Sequence, residues 1–199
     1  MSVTLIAGLG NPGRKYAGTR HNLGFAVVEA LAAAEGLKWE PEARFESDIA
    51  TWDVRPRVSR LLIKPRTFMN DSGVALRSLV DFHQVPVDSV IVAYDDLTID
   101  LGCVKVSVAG SAGGHNGVAS VLTHLGSGFI RYRLGIGAPR PAEMDIKDFV
   151  LGKFSTEQTT LIDQQLTTFV DGLRLLINRG PAEAMNILNR RDRHEPEKA

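Results

Sequence analysis

Apolar residues in this chain recur with two periods, and the switches between them outline a domain. Val3 to Leu9 is a continuous apolar run ending in glycines, which predicts a buried strand. Leu23, Phe25 to Val28, Leu31 and Ala32 then repeat at helical spacing until Gly36. Strand-like runs follow at 45–52 and 58–63, and after Lys64-Pro65 a helix carries Val74, Leu76, Leu79, Val80 and Phe82. Ser89–Tyr94 is a short β-branched strand that stops at Asp95-Asp96, and Val104–Val108 alternates as a strand. A helix over Asn116–Leu125 and a strand over Tyr132–Ile136 come next. Beyond Pro141 only helices are predicted: Ile146–Leu151, Thr156–Asn178 and Ala182–Leu188.

Strands that alternate with helices, without an internal repeat or linker, predict an α/β fold. We expect a single domain over residues 1–189 with a mixed, mostly parallel central sheet flanked by helices. Residues 190–199 form a charged tail expected to be disordered. In such sheets, sites gather beyond the carboxyl ends of the strands, where the unusual residues of this chain lie.

Composition narrows the classes. Of 199 residues, 44% are apolar and 23% charged, as in ordinary globular proteins. The single cysteine, Cys103, excludes an intramolecular disulfide framework. No N-terminal leader is visible, and no apolar stretch approaches the ~20 residues of a membrane span. The expected location is therefore the cytoplasm. Lys+Arg and Asp+Glu are both 23, which argues against a basic nucleic-acid coat protein. Yet residues 101–140 hold Lys105, Arg131, Arg133 and Arg140 and no acidic residue. That is either chance clustering on a solvated face or a local anion surface.

Gly8-Leu9-Gly10-Asn11-Pro12-Gly13 matches G-x-G-x-x-G after a strand, and a dinucleotide site is its first reading. Against it, a polar loop from Arg14 to Arg20 separates the glycines from the helix, and Pro12 removes a backbone donor. The acidic residues about 20 positions on, Glu29 and Glu35, also fall in a helix rather than at a strand end. His21 closes that loop. A lone histidine there is ordinarily a cap or a surface residue; as a functional group it is the side chain best matched to taking a proton from water near neutral pH. Asp95 is the natural partner for its other nitrogen if the strand ending there lies beside the first.

Other chemistries lack their groups. There is no G-x-S-x-G, Cys103 has no histidine motif near it, and His83, His115, His124 and His194 show no metal-ligand spacing. Attack by an activated water remains. Asn70, Asp71 or Ser72 is either a plain N-cap or, for Asn70, a neutral amide facing a cleft, with Phe68 and Met69 as its apolar wall. Gly113-Gly114 lets a backbone approach a ligand closely, and Asn116 offers both a donor and an acceptor.

In combination these segments resemble the bacterial peptidyl-tRNA hydrolase family. The resemblance rests on Gly8–Gly13 with Tyr16, Thr19–Phe25, Lys64-Pro65, Phe68-Met69-Asn70, Ser72-Gly73 and Tyr94–Leu97. It continues through Gly113–Gly117, Arg131 and Arg133 before Leu134–Gly137, and Asp148–Leu151, so that it covers about residues 3–188. It implies a mixed sheet flanked by helices in a monomer without cofactor or metal. The implied activity is cleavage of the ester between peptide and tRNA 3′-terminal ribose in peptidyl-tRNA released prematurely from the ribosome. His21 would be the general base, oriented by Asp95. Asn11 would discriminate N-blocked peptidyl-tRNA from free aminoacyl-tRNA. Tyr16, Phe68, Met69, Asn70, Gly114 and Asn116 would contact the substrate, Lys105, Arg131 and Arg133 would hold tRNA phosphates, and Phe149–Leu151 would belong to a lid. The chain departs from the family pattern at Ser107, Val108 and Ala109, where relatives commonly carry extra basic residues. A non-catalytic RNA-binding relative of the same fold is the alternative.

Overall fold

The computed structural model describes residues 2–138 and 144–190. Arg140, Pro141, His194 and the tail beyond Arg190 lie outside the described residues. The strands are β1 (Ser2–Gly8), β2 (Glu40–Glu42), β3 (Ser47–Arg55), β4 (Val58–Pro65), β5 (Val90–Asp96), β6 (Val104–Ser107) and β7 (Ile130–Gly135). The helices are α1 (Leu23–Ala34), α2 (Ser72–His83), α3 (Asn116–Leu125), α4 (Ile146–Leu151) and α5 (Thr156–Leu188). The last is broken at Gly180 (φ 80°) before Pro181, where two helices were predicted.

One seven-stranded sheet has the order β2-β3-β4-β1-β5-β7-β6. The central pairs β4–β1, β1–β5 and β5–β7 are parallel, and the outer pairs β2–β3, β3–β4 and β7–β6 antiparallel. Central strands buried on both faces must be apolar along their length, which is why β5 reads Val-Ile-Val-Ala-Tyr without alternation. One face packs Ile6, Leu62, Ile91, Ala93, Tyr132 and Leu134 against α1 and α5. The other packs Leu5, Ala7, Ile63, Val92 and Tyr94 against α2 and α3. Each fully buried side chain of this size contributes about 1.5–3 kcal/mol.

Two local devices frame the site. The first closes an edge: Asn189, after α5, accepts from Val106 N–H with Oδ1 (2.8 Å) and donates to Val106 C=O with Nδ2 (2.9 Å). A side-chain amide thus occupies the open edge of β6, which would otherwise template another strand. The second is a close crossing of α1 over β1 and β5. A Cβ at Gly8 would sit 2.3 Å from Gly24 O, and one at Gly24 would sit 2.4 Å from Ala93 O and 2.6 Å from Leu9 O. Only glycine at both positions lets the start of α1 settle onto the strand ends, which lowers the loop carrying His21 to the level of Asp95.

Strand ends differ from the predicted ones by at most three residues, and the starts at Val58 and Val104 agree. The polar Glu40–Glu42 edge strand and the 3-10 turns Arg14–Tyr16, Arg20–Asn22 and Met69–Asp71 were not foreseen. Three-residue elements carry no hydrophobic period to read. We predict that Gly24→Ala lowers the free energy of unfolding in urea by about 3 kcal/mol, because the added methyl meets backbone carbonyls that cannot rotate away.

Candidate active site

β1 and β5 are neighbours, in register from Leu5↔Val90 to Gly8↔Ala93, so the adjacency required of His21 and Asp95 is present. Asp95 follows Ile91 and Ala93 in the strand's alternation and therefore points to the side of α1. His21 arrives there from the 3-10 turn just ahead of α1. Its Nδ1 lies 2.9 Å from Asp95 Oδ1 and 3.1 Å from Oδ2, with the two side chains only 9% and 2% exposed. The carboxylate can only accept, so Nδ1 carries the proton and Nε2 keeps its lone pair. Nε2 makes no hydrogen bond to any described residue, and His21 lines a cleft of about 640 Å³. Burial disfavours charge on Asp95, but the histidines around it, His115 ahead of His21, outweigh that and hold its carboxyl well below the usual carboxylate range.

The asparagines are set by an unusual exchange of roles. Asn22 occupies the N-cap position of α1 but makes no side-chain cap bond. Instead its Oδ1 accepts from Asn11 N–H (2.8 Å) and its Nδ2 donates to Asn11 C=O (3.0 Å). A cap worth about 1 kcal/mol is given up to pin the glycine loop. Asn11 Oδ1 accepts from Met69 N–H (2.8 Å), so only its Nδ2 donors remain for the cleft. Neither Asn70 nor Asp71 caps α2; the exposed Asn70 donates to Asp71 and lines the cleft. Asn116, the first residue of α3, is exposed on the same cleft beyond Gly113 and Gly114, whose φ values of 57° and 82° suit glycine.

Tyr16 and Phe68 form one wall as an edge-to-face pair 6.4 Å apart, with Phe68 56% exposed. Met69 lies behind it, buried, its sulfur where a Cβ on Gly117 would stand. Ile146, Val150 and Leu151 of α4 form part of the lining as well. Arg20, beside His21, fastens α4: its guanidinium donates to Phe149 C=O (3.1 Å) and Gln158 Oε1 (2.9 Å) and lies over the Phe149 and Phe154 rings.

The basic residues separate. Lys105 and Arg133 are cross-strand partners on the α2/α3 side of the sheet; Arg133 lines the cleft and also pairs with Asp96 (2.9 Å). Arg131, expected on a phosphate, is 3% exposed and instead donates to the carbonyls of Ser111 and Gly110. Its charge is taken up inside the fold, where it props the Gly110–Gly114 loop from beneath. Sequence reading missed three residues: Asn22, Arg20 and, most consequentially, His115, whose Nε2 lies 3.1 Å from Asp95 Oδ1. The histidine spacing gave no hint of this, because the contact spans 20 residues and is made by the fold. His21, Asp95 and His115 also bring three ligand atoms within 4.8 Å of one another, and so are the group among the described residues that could hold a metal ion. His21 Nδ1 and His115 Nε2 are already engaged with the Asp95 carboxylate.

Comparison with known proteins identifies the family. The family model described as peptidyl-tRNA hydrolase matches residues 5–197. Peptidyl-tRNA hydrolases of Prochlorococcus marinus and a Thermoanaerobacter species are each 42% identical, over 93% of this chain and 92% and 98% of theirs. The crystal structure of the Acinetobacter baumannii peptidyl-tRNA hydrolase superposes with a TM-score of 0.86 at 34% identity, over 94% of each chain.

Because Asp95 is acidified by its surroundings, its ionisation stabilises the fold above the unfolded carboxylate value near pH 4 and is lost as the pH falls below it. Urea midpoints measured from pH 5 downward are expected to fall less steeply for Asp95→Asn than for the unaltered protein. By the family match over residues 5–197 and these relatives, the chain belongs to the peptidyl-tRNA hydrolase family.

Proposed function

We propose that the chain hydrolyses the ester joining a peptide to the 3′-terminal ribose of tRNA, with His21 as general base. The observation that carries this reading is the buried Nδ1–H···Asp95 bond, which leaves the basic Nε2 facing the cleft. Water held at Nε2 attacks the ester carbonyl carbon while its proton passes to Nε2. Asp95 stabilises the imidazolium through Nδ1–H. The tetrahedral oxyanion accepts from the amides of Asn116 and Asn11. Collapse breaks the bond to the ribose oxygen, which takes the proton back from Nε2. The products are a free peptide acid and a tRNA with its hydroxyl restored, and His21 returns to its starting state.

Because Asn11 Oδ1 is committed to Met69, the group it turns to the cleft is a donor. A donor suits the carbonyl of an N-blocked residue and repels a free ammonium, which gives a physical basis for sparing aminoacyl-tRNA. Tyr16 and Phe68 offer ring faces to the terminal base or a peptide side chain. Asn70 and the Gly114 backbone also line the cleft. Lys105 and Arg133 take tRNA phosphates. In this reading the enzyme acts as a monomer, since one chain supplies every group. It needs no cofactor, and it works in the cytoplasm, where its substrate arises; residues 149–151 form part of a lid that Arg20 anchors.

With N-acetyl-aminoacyl-tRNA as substrate, His21→Ala is expected to lower kcat by about 10²–10⁴-fold with little change in KM. The unblocked aminoacyl-tRNA should be spared by the unaltered enzyme. Binding of the blocked tRNA without cleavage would instead indicate a non-catalytic RNA-binding relative. Lys105→Ala should weaken substrate binding and reduce the slope of log KM against log salt by about 1, as the loss of one phosphate contact does.

A further inference from the structure

His115 stands between two residues assigned to substrate contact, yet its side chain faces inward and is only 8% exposed. Its ring meets four partners. Val118 N–H points at Nδ1 (3.2 Å), which makes His115 the N-cap of α3. Nε2 lies 3.1 Å from Asp95 Oδ1. The ring also packs edge-to-face with Tyr94 (5.1 Å, 71°) and at a tilt against His21 (4.7 Å, 46°). These contacts decide the tautomer. Nδ1 accepts a backbone proton and must hold a lone pair, so Nε2 carries the hydrogen and donates to Asp95. His21 meets the same carboxylate with the opposite nitrogen.

We infer that His115 is a positioning residue for the hydrolysis: it locks the Asp95 carboxylate in the rotamer that holds the His21 ring, and it ties that dyad to the loop presenting Asn116. The inference rests on the reading of His21 as base. A carboxylate gripped by His21 alone can turn about its Cβ–Cγ bond; a second donor from another element removes that freedom. Asp95 Oδ1 is shared by the two histidines, one entering ahead of α1 and the other ahead of α3. The same ring that orients Asp95 caps the helix whose first residue is Asn116. The base and one oxyanion donor are thereby set relative to each other through a single side chain.

The two bonds of the ring can be removed separately. Asparagine at position 115 keeps an oxygen near Nδ1 and is a good N-cap, but it cannot reach Asp95. Glutamine can extend an N–H toward Asp95 but forfeits the short-range cap. With N-acetyl-aminoacyl-tRNA, His115→Asn should lower kcat about 10–100-fold, the range usual when a group orienting a functional side chain is lost, and change KM less than twofold. Its Tm should stay within about 2 °C of the unaltered enzyme. His115→Gln should recover much of that kcat while losing several degrees in Tm. As a second readout, the downfield Nδ1 proton of His21 in ¹H NMR should shift or broaden in His115→Asn and return in His115→Gln.

An unchanged kcat in His115→Asn, or a loss of Tm and kcat together that glutamine does not reverse, would overturn the inference and leave His115 a helix cap. If the asparagine variant fails to fold, His115→Gln decides between the two roles, because its kcat must then persist despite the lost cap. His21→Ala is run alongside. Turnover surviving in that variant would remove the base itself, and with it this inference, which is a different failure from an inert His115 beside an essential His21.

Discussion

A carboxylate almost wholly withdrawn from water must be given donors, and the arrangement of this site follows from how Asp95 receives them. Isolated burial would push the carboxyl toward neutrality. Here two imidazoles keep it ionised, and in doing so each is itself held in one tautomer. The requirement is mutual. His21 needs an acceptor on Nδ1 to leave Nε2 basic, and Asp95 needs donors to remain a charge at all. No water-exposed pair at the same distance would fix both, since screening would let the two side chains part.

The backbone is shaped around that demand. Parallel pairing of β1 with β5 sets two strand ends side by side, and the Gly8–Gly24 approach lowers the start of α1 onto them. Several helix termini then give up or redirect their usual caps. Asn22 leaves α1 uncapped to clamp Asn11, Asp71 accepts from Asn70 rather than closing α2, and His115 caps α3 with the back of a ring whose front serves Asp95. Capping rules yield at the site, while α4 and α5 keep them. Ser155 and Gln158 form a complete capping box on α5, and Asn189 seals the edge of β6. The two-sided apolar core supplies the stability that these few polar termini forgo.

Much of this was legible from the residues. The apolar runs locate the strands because a doubly covered sheet tolerates little else in its centre, and the polar residues at their ends mark the cleft. His21 and Asp95 were readable as a pair because strand ends in an α/β sheet converge. What stayed hidden depends on distance in the chain or on direction in space. His115 reaches Asp95 across a loop, and no spacing rule encodes that. Arg131 reads as one more cation in a basic stretch, but the Gly110 and Ser111 carbonyls turn it inward. The three-residue edge strand Glu40–Glu42 is held by its partner β3 alone and has no apolar signature of its own.

Catalysis in this reading depends on His21 presenting an unprotonated Nε2 to the cleft while Asp95 holds its Nδ1–H. The most direct test is ¹⁵N NMR of histidine-labelled enzyme, with His21→Ala and His115→Asn used to assign the two rings. Opposite neutral tautomers are expected in one spectrum, Nδ1–H for His21 and Nε2–H for His115. An Nε2–H tautomer at His21 would place the proton where the base must be empty and would contradict this reading.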